Sequence, residues 1–313
     1  MPPPTPLPPR QPTNDMAPLR PLPTDPRTED WRVADVPSDA GAAVHVRIYD
    51  QGADPKGVLA VHFHGGNLID GTLDDGLAMA RLLQSAGAVV VSMAYPPALH
   101  QPFPAGLDAG RAVLVWASRR LGRLAGKGAR LFLAGEEGGA NLAAGLAMQV
   151  RDQRCTLLSG QILVSPMLDP RMGTASMRAG MAGRTCCQWA QGWRAYLDCG
   201  QAADHPYALP ARSIRLAGLP PSLIITAEDD LMRDEATAFA ERLAKAGTPC
   251  RCEVLDAATG WPLGLRHPEA ATAPWAPVVS ALLLDFFNPN PHEGHRTPSA
   301  PDTPASNPNG EQP

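Results

Sequence analysis

The 313-residue sequence lacks several features that would assign it to a class of protein at once. No apolar run approaches the roughly 18–20 residues of a membrane span. No apolar segment follows the N-terminal prolines, so we expect no secretory signal and, by default, a cytoplasmic protein. There is no run of basic residues, and the net charge of −4 argues against a nucleic-acid partner.

The six cysteines lack the spacing that disulfide frameworks and zinc sites require. None forms a CxxC pair, and no histidine stands near them in metal-ligand register. Cys250 and Cys252 alternate as they would on one face of a strand, where buried thiols are common. We therefore expect no disulfide, no metal site and no cofactor.

The 35 prolines are concentrated at the two ends of the chain. Eleven precede residue 27, and seven lie in residues 288–313. Such segments bury too little apolar surface to offset the entropy of ordering, so we predict disorder over residues 1–29 and 288–313. A proline-rich ligand for an adaptor domain is the alternative. Residues 30–287 then have the length of a single domain.

Within that domain, compact apolar runs alternate with segments of helical period, as in a mostly parallel sheet with helices on both faces. In such α/β sheets the ligand site lies at the carboxyl ends of the strands. Residues 170–215 interrupt the alternation, which predicts a cap or lid insertion. Within it, Trp189, Trp193 and Tyr196 form a helical stripe that predicts either core packing or a pocket lining. The runs read as strands are residues 44–50, 58–64, 88–95, 129–135, 160–165 and 222–228.

Four stretches occur in order along the chain: "HFHGGNLIDG" (62–71), "AYPPALHQPFPAGLDA" (94–109), "GEEGGANLAA" (135–144) and residues 216–247. Together they resemble the hormone-sensitive-lipase family of α/β hydrolases, which includes bacterial esterases and lipases. The first is similar to the family's HGGG loop, and the second to its YRLAPEHPFPAALDD run. "GEEGGANLAA" (135–144) is similar to its GDSAGGNLAA nucleophile turn, and residues 216–247 are similar to the segment that carries its catalytic acid. The resemblance covers residues 44–287 and implies an α/β-hydrolase fold. In the family, a serine, an acid and a histidine hydrolyse esters.

Carried over position by position, the resemblance places Glu137 where the family has its serine nucleophile. It places Asp230 at the acid position and Thr259 at the histidine position, in "LDAATGWPLG". His267 stands eight residues further on. A rearranged loop would be needed to bring it to the site, and otherwise it is an exposed loop histidine.

The loop that would stabilise an oxyanion is mostly present. His64, Gly65 and Gly66 stand as in the family, Asn67 replaces the third glycine, and Gly138 would supply a further backbone donor. Because the donors are backbone N–H groups, the Asn67 side chain need not abolish this site, although it could alter the loop backbone.

Three interpretations of Glu137 follow. The first is a pseudoenzyme that retains a ligand pocket, as the resemblance implies for a plant hormone receptor branch of the family. The second is a hydrolase with a carboxylate nucleophile, as in haloalkane dehalogenases and epoxide hydrolases. It needs a water activated by histidine, and glutamate is longer than the aspartate used there. The third is a structural or oligomerisation partner, homo- or hetero-oligomeric, that associates through residues 251–255 and 276–287.

We favour the first interpretation. A carboxylate at this turn lies where an oxyanion would develop, and like charges repel there. Such a site suits a cationic or hydrogen-bond-donating ligand better than the tetrahedral intermediate of ester hydrolysis.

Overall fold

A computed structural model describes residues 31–39, 41–50, 57–155, 157–179, 185–198 and 204–289. The proline-rich ends, whose disorder the sequence predicts, fall outside these ranges apart from residues 288 and 289. Within the described part of the chain, no helix is both long and apolar enough to cross a bilayer.

The centre of the fold is an eight-stranded sheet with the order β1-β2-β4-β3-β5-β6-β7-β8. The β1–β2 and β2–β4 pairs are antiparallel, and the other pairs are parallel. This confirms the predicted α/β architecture. The strands are β1 (Trp31–Ser38), β2 (Gly41–Tyr49), β3 (Val58–Phe63), β4 (Val89–Met93), β5 (Arg130–Glu136), β6 (Leu158–Val164), β7 (Ser222–Ala227) and β8 (Cys250–Leu255).

Helices cover both faces of the sheet. Side chains alternate along each central strand, so that Leu131 and Leu133 of β5 join one hydrophobic cluster while Phe132 and Ala134 join the other. The helices are α1 (Leu77–Ser85), α2 (Ala105–Arg119), α3 (Leu121–Ala125), α4 (Gly138–Asp152), α5 (Ala175–Ala179), α6 (Thr185–Tyr196), α7 (Arg233–Lys245) and α8 (Ala276–Phe287). Helices α2, α4 and α7 share the first cluster, and α1 and α8 share the second.

Strand β1 is not among the strands that we predicted. It pairs only with β2 at the edge of the sheet, and most of its side chains are partly exposed. An edge strand of this kind has neither a continuous apolar run nor a regular alternation, so the sequence pattern is weak.

Helix α6 comes from the segment predicted to be a cap, and it lies against the loop that follows β3. At Gly192, a Cβ atom would be 1.8 Å from the carbonyl oxygen of Asn67, so only glycine allows the helix to come this close. The N–H of Phe103 donates to the carbonyl of Tyr196 at the end of the helix (3.0 Å). The aromatic side chains predicted as a stripe, Trp189, Trp193 and Tyr196, are all buried.

Candidate functional site

The turn between β5 and α4 holds Glu137 in a strained conformation, with φ +53° and ψ −121°. This region is unfavourable for a residue with a Cβ atom, and it is where strand-to-helix nucleophile turns lift a side chain above the sheet. Neighbouring backbone fixes the turn, because Glu137 N–H donates to Val164 and Met167 N–H donates to Glu137 (both 3.1 Å). The β5–α4 turn at Glu137, hereafter the elbow, therefore has the geometry of a nucleophile turn, with a carboxylate in place of a hydroxyl.

The loop after β3 lies directly against this elbow. Gly138 N–H donates to the carbonyl of Gly66 at 3.0 Å. A Cβ atom at Gly138 would lie 2.4 Å from that carbonyl oxygen, and Gly66 itself has φ +139°. Glycine is needed at both positions for the two backbones to approach so closely.

The Glu137 carboxylate is only 1% exposed and is surrounded by hydrogen-bond donors. Its Oε2 accepts the N–H of Gly66 at 2.9 Å, and its Oε1 accepts the indole Nε1–H of Trp189 at 2.5 Å. The guanidinium of Arg266 completes the set, with Nη2 at 2.7 Å from both carboxylate oxygens and Nε at 3.0 Å from Oε2. Both oxygens are thus engaged by groups of the protein itself.

Arg266 lies on a short 3₁₀ turn, Leu263–Arg266, in the connection after β8. Its side chain is 17% exposed, and Nη1 also reaches a carboxylate oxygen of Asp70 at 3.4 Å. Burial acts to lower the pKa of Arg266, but the negative charges of Glu137, Asp70 and Asp75 outweigh it, and the pKa is raised overall. The group facing Glu137 is therefore a permanent cation.

The N–H groups expected to stabilise an oxyanion are already occupied. Gly65 N–H donates to Glu136 (2.9 Å), Gly66 N–H donates to Glu137, and Asn67 N–H donates to Asp70 (3.2 Å). Three carboxylates thus accept the three successive donors of the loop. The Asn67 side chain turns back into the loop, where its Nδ2 also contacts Asp70 (3.3 Å).

Behind the loop, Glu136 belongs to a buried polar chain. Its Oε2 lies 2.8 Å from Nε2 of His62, and Nδ1 of His62 lies 2.9 Å from the hydroxyl oxygen of Ser92. All three side chains are buried. Because Glu136 also holds Gly65 N–H, this chain ties the loop to β5 and fixes its conformation.

His64, predicted as part of the same site, contacts the loop backbone and Tyr95. Its Nδ1 lies 2.7 Å from the carbonyl of Gly65, and its ring stacks on Tyr95 at 4.3 Å between centroids. Burial lowers the pKa of His64 to about 4, so the imidazole is neutral at pH 7. Its contacts are those of a residue that supports the loop.

The two remaining triad positions, Asp230 and Thr259, have separate hydrogen-bond partners. Asp230 accepts hydrogen bonds from Ser165 (2.9 Å), Thr226 (2.6 Å) and Met232 N–H (2.9 Å). Burial raises its pKa to about 6. Thr259 instead donates through N–H and Oγ1 to Asp229, both at 2.7 Å.

Asp229, which the sequence analysis did not single out, is therefore the acid that holds the Thr259 loop. Gly260 N–H also donates to it at 2.8 Å. Partial burial acts to raise the pKa of Asp229, but the hydrogen bonds from Gly260 and Thr259 outweigh it and the pKa is lowered. The assignment of the acid position to Asp230 stays a prediction.

His267 was predicted from the sequence as a residue that a rearranged loop could bring to the site, whereas its neighbour Arg266 was not predicted to lie there. His267 is exposed, whereas Arg266 points inward to the elbow. A buried carboxylate needs a counter-charge, and this requirement could have indicated a basic residue such as Arg266 near Glu137. Among the described residues, no cluster of three or more His, Cys, Asp or Glu side chains could hold a metal ion.

A small cleft lies beside the elbow. Leu68, in its wall, lies against Gly138, and the hydroxyl of Tyr95 donates to the carbonyl of His64 (3.0 Å). The lining residues are Leu68, Tyr95, Pro96, Ala98, Gln101, Gly106, Leu142 and Tyr196.

The sheet order, the strained elbow and the glycine loop facing it define an α/β-hydrolase scaffold. The model of a family described as having the alpha/beta hydrolase fold matches residues 60–259, and the chain belongs to this family of hormone-sensitive-lipase-like esterases and lipases.

Relatives include both receptors and enzymes. The gibberellin receptor GID1C of Arabidopsis thaliana is 33% identical over 235 residues, covering 71% of this chain and 68% of the receptor. The carboxylesterase NlhH of Mycobacterium tuberculosis is 34% identical over 198 residues, covering 60% of this chain and 61% of the enzyme. The alignments thus span about two thirds of the length of these relatives. The crystal structure of esterase LipW from Mycobacterium marinum superimposes with a TM-score of 0.69 at 34% identity, covering 83% of each chain.

Proposed function

We propose that this chain is a non-hydrolytic member of the family, a pseudo-hydrolase that uses the elbow for binding. The observation that carries the proposal is the position of the Glu137 carboxylate, which accepts Gly66 N–H and pairs with Arg266. An ester's tetrahedral oxyanion would need that same N–H, so the side chain blocks the position in space and by charge.

The groups around the elbow support this proposal. Hydrolysis by an acyl-enzyme route needs a nucleophile with a base that accepts its proton. The partner of Glu137 is a guanidinium, which cannot accept a proton in a protein. Thr259, at the family's histidine position, has no basic nitrogen. Loss of such groups costs on the order of 10⁶ in rate.

The alternative of a carboxylate nucleophile is less well supported. Attack on carbon requires a carboxylate oxygen with an available lone pair, whereas Oε1 of Glu137 accepts two hydrogen bonds and Oε2 accepts three. The covalent ester would then need a water activated by a base. The nearby buried imidazole, His62, is bonded at both ring nitrogens to Glu136 and Ser92.

A binding role has a precedent among the relatives. The plant relative is named a gibberellin receptor, whereas NlhH is named a carboxylesterase. Both roles therefore occur on scaffolds similar to this one. In this chain, the closed elbow favours the receptor-like role.

Turnover of p-nitrophenyl acetate and p-nitrophenyl butyrate tests the proposal. We expect the purified full-length protein to hydrolyse neither ester faster than its Glu137→Ala variant. Turnover at ordinary esterase rates that disappears in this variant would refute the proposal in favour of the carboxylate nucleophile.

Restoring the triad tests whether the scaffold itself is intact. The Glu137→Ser/Thr259→His double variant should show weak hydrolysis, because Asp229 is placed to accept a hydrogen bond from residue 259. Adding Arg266→Ala should increase the rate, since it removes a cation left without its partner beside the new serine. The Glu137→Ser/Thr259→Ala variant is the matched control, and equal rates in the two double variants would contradict the expected placement.

A further inference from the structure

We propose that the elbow is a binding site for a small guanidinium compound, which takes the place of the Arg266 guanidinium on Glu137. This inference rests on the proposed function and names the ligand class of the same site. The inference follows from a difference between the two partners of the ion pair: Glu137 is enclosed, and Arg266 is partly exposed.

Glu137 is fixed at both ends. Its backbone is held in the strained turn, and its carboxylate is 1% exposed and bonded to Gly66 N–H and the Trp189 indole. A glutamate has a short side chain, and this one lies enclosed between the loop and helix α6. An anionic ligand would have to displace this carboxylate, which the contacts oppose.

Arg266 is the more exposed partner of the pair and has a second acceptor. Its long side chain is 17% exposed, and it already contacts Asp70, whose side chain is 47% exposed. Rotation toward Asp70 would keep the guanidinium paired with a carboxylate and in water. The space left beside Glu137 would have the size and shape of a guanidinium group.

The charge of the vacated space selects a cation. Glu137 would remain buried without a counter-charge, which is costly unless a cation replaces Arg266. Asp70 and Asp75 add negative charge at the mouth, since both raise the pKa of Arg266. A planar guanidinium can donate to both carboxylate oxygens at once, whereas an ammonium is a point charge without this fork.

Calorimetric titration of the wild-type protein with methylguanidinium chloride tests the proposal. We expect saturable binding that the Glu137→Gln variant loses, with methylammonium chloride binding at least about fivefold more weakly because it lacks the planar fork. In the Arg266→Ala variant the affinity should rise by about 10- to 100-fold, because a tethered competitor at millimolar effective concentration is removed.

The Asp70→Asn variant distinguishes replacement of the Arg266 guanidinium by the ligand from ligand binding in an existing cavity. It should weaken binding more in the wild-type background, where Arg266 needs a second partner, than in the Arg266→Ala background, where only the negative charge of Asp70 is lost. Circular dichroism of each variant establishes that it is folded. If the folded wild-type protein binds no methylguanidinium, or if Glu137→Gln binds it equally well, the proposal is wrong.

The outcomes also distinguish this inference from the proposed function. Ester hydrolysis that depends on Glu137 would overturn the proposed function whatever the titrations show. Absence of both hydrolysis and methylguanidinium binding would leave the pseudo-hydrolase assignment standing and remove only the guanidinium ligand.

Discussion

The ion pair between Arg266 and Glu137 makes a quantitative prediction about stability. Arg266→Ala removes the only charged partner that contacts the Glu137 carboxylate among the described residues. Breaking a buried pair by deleting one partner typically costs about 3–5 kcal/mol. Two neutral donors, Gly66 N–H and the Trp189 indole, remain, so we expect the lower end, about 3 kcal/mol.

The reverse deletion should cost less. Glu137→Gln leaves Arg266 with access to water and to Asp70, so the loss should be about 1–2 kcal/mol. The double variant removes both charges and leaves no unpaired ion. Its cost should therefore be smaller than the sum of the two single costs by about 2 kcal/mol.

Urea denaturation followed by circular dichroism at pH 7 measures the stability of the wild-type protein, the two single variants and the double variant, which together form a double-mutant cycle. Arg233→Ala is a matched control, because Arg233 is 30% exposed and pairs with surface acids, Glu228 and Asp234. Its cost should stay below about 1 kcal/mol. Single-variant costs for Arg266 and Glu137 that add within about 0.5 kcal/mol would refute the reasoning, because they would mean that the two side chains are not coupled.

Three further predictions concern the surroundings of the elbow. Gly192→Ala should destabilise the protein by about 1–3 kcal/mol in the same urea assay, because its Cβ would clash with a loop carbonyl. Gly122→Ala is the control, and it should be neutral or slightly stabilising because the space around Gly122 is open. Trp189→Phe should lower the free energy of unfolding by about 1.5–3 kcal/mol, because it removes a hydrogen bond to a charged group. Trp261→Phe should cost less, since the indole N–H of Trp261 has no partner among the described residues. Equal losses of stability in the two variants would contradict this prediction. Burial raises the pKa of Asp230 to about 6. The protonated side chain therefore contributes to stability below about pH 4, and this contribution is lost as the pH rises through 6. Urea midpoints measured from pH 4 to 7 should depend less on pH in the Asp230→Asn variant than in the wild-type protein.

The backbone shape of two segments at the candidate site could be predicted from the sequence because their motifs are local. The loop at residues 62–71 and the turn at residues 135–144 each specify backbone shape through glycines at fixed spacing, and the structure places them side by side. The positions of the buried strands along the chain were similarly predictable from compact apolar runs. Edge strand β1 was not, since it lacks that pattern.

The partners of Glu137 could not be predicted by residue. The sequence favoured a cationic or hydrogen-bond-donating ligand at this carboxylate, and that ligand stays a prediction; in the structure a cation and a donor come from within the chain, as Arg266 and Trp189. These residues lie 129 and 52 positions away in sequence, so no local pattern connects them to the elbow. The contact between Asp229 and the Thr259 loop was not predicted, because which of two adjacent residues faces that loop depends on the backbone after β7.

The arrangement around Glu137 couples residues that would have to change together. Serine at this turn would release Gly66 N–H for an oxyanion, but it would leave Arg266 buried beside the elbow without its main partner. Removing Arg266 alone leaves the carboxylate buried and unpaired. Since a well-packed apolar pair would close the elbow without either penalty, closure alone does not explain why charges are used here. An ion pair in which one partner is fixed and the other has a second acceptor within reach is an arrangement that a competing cation can open.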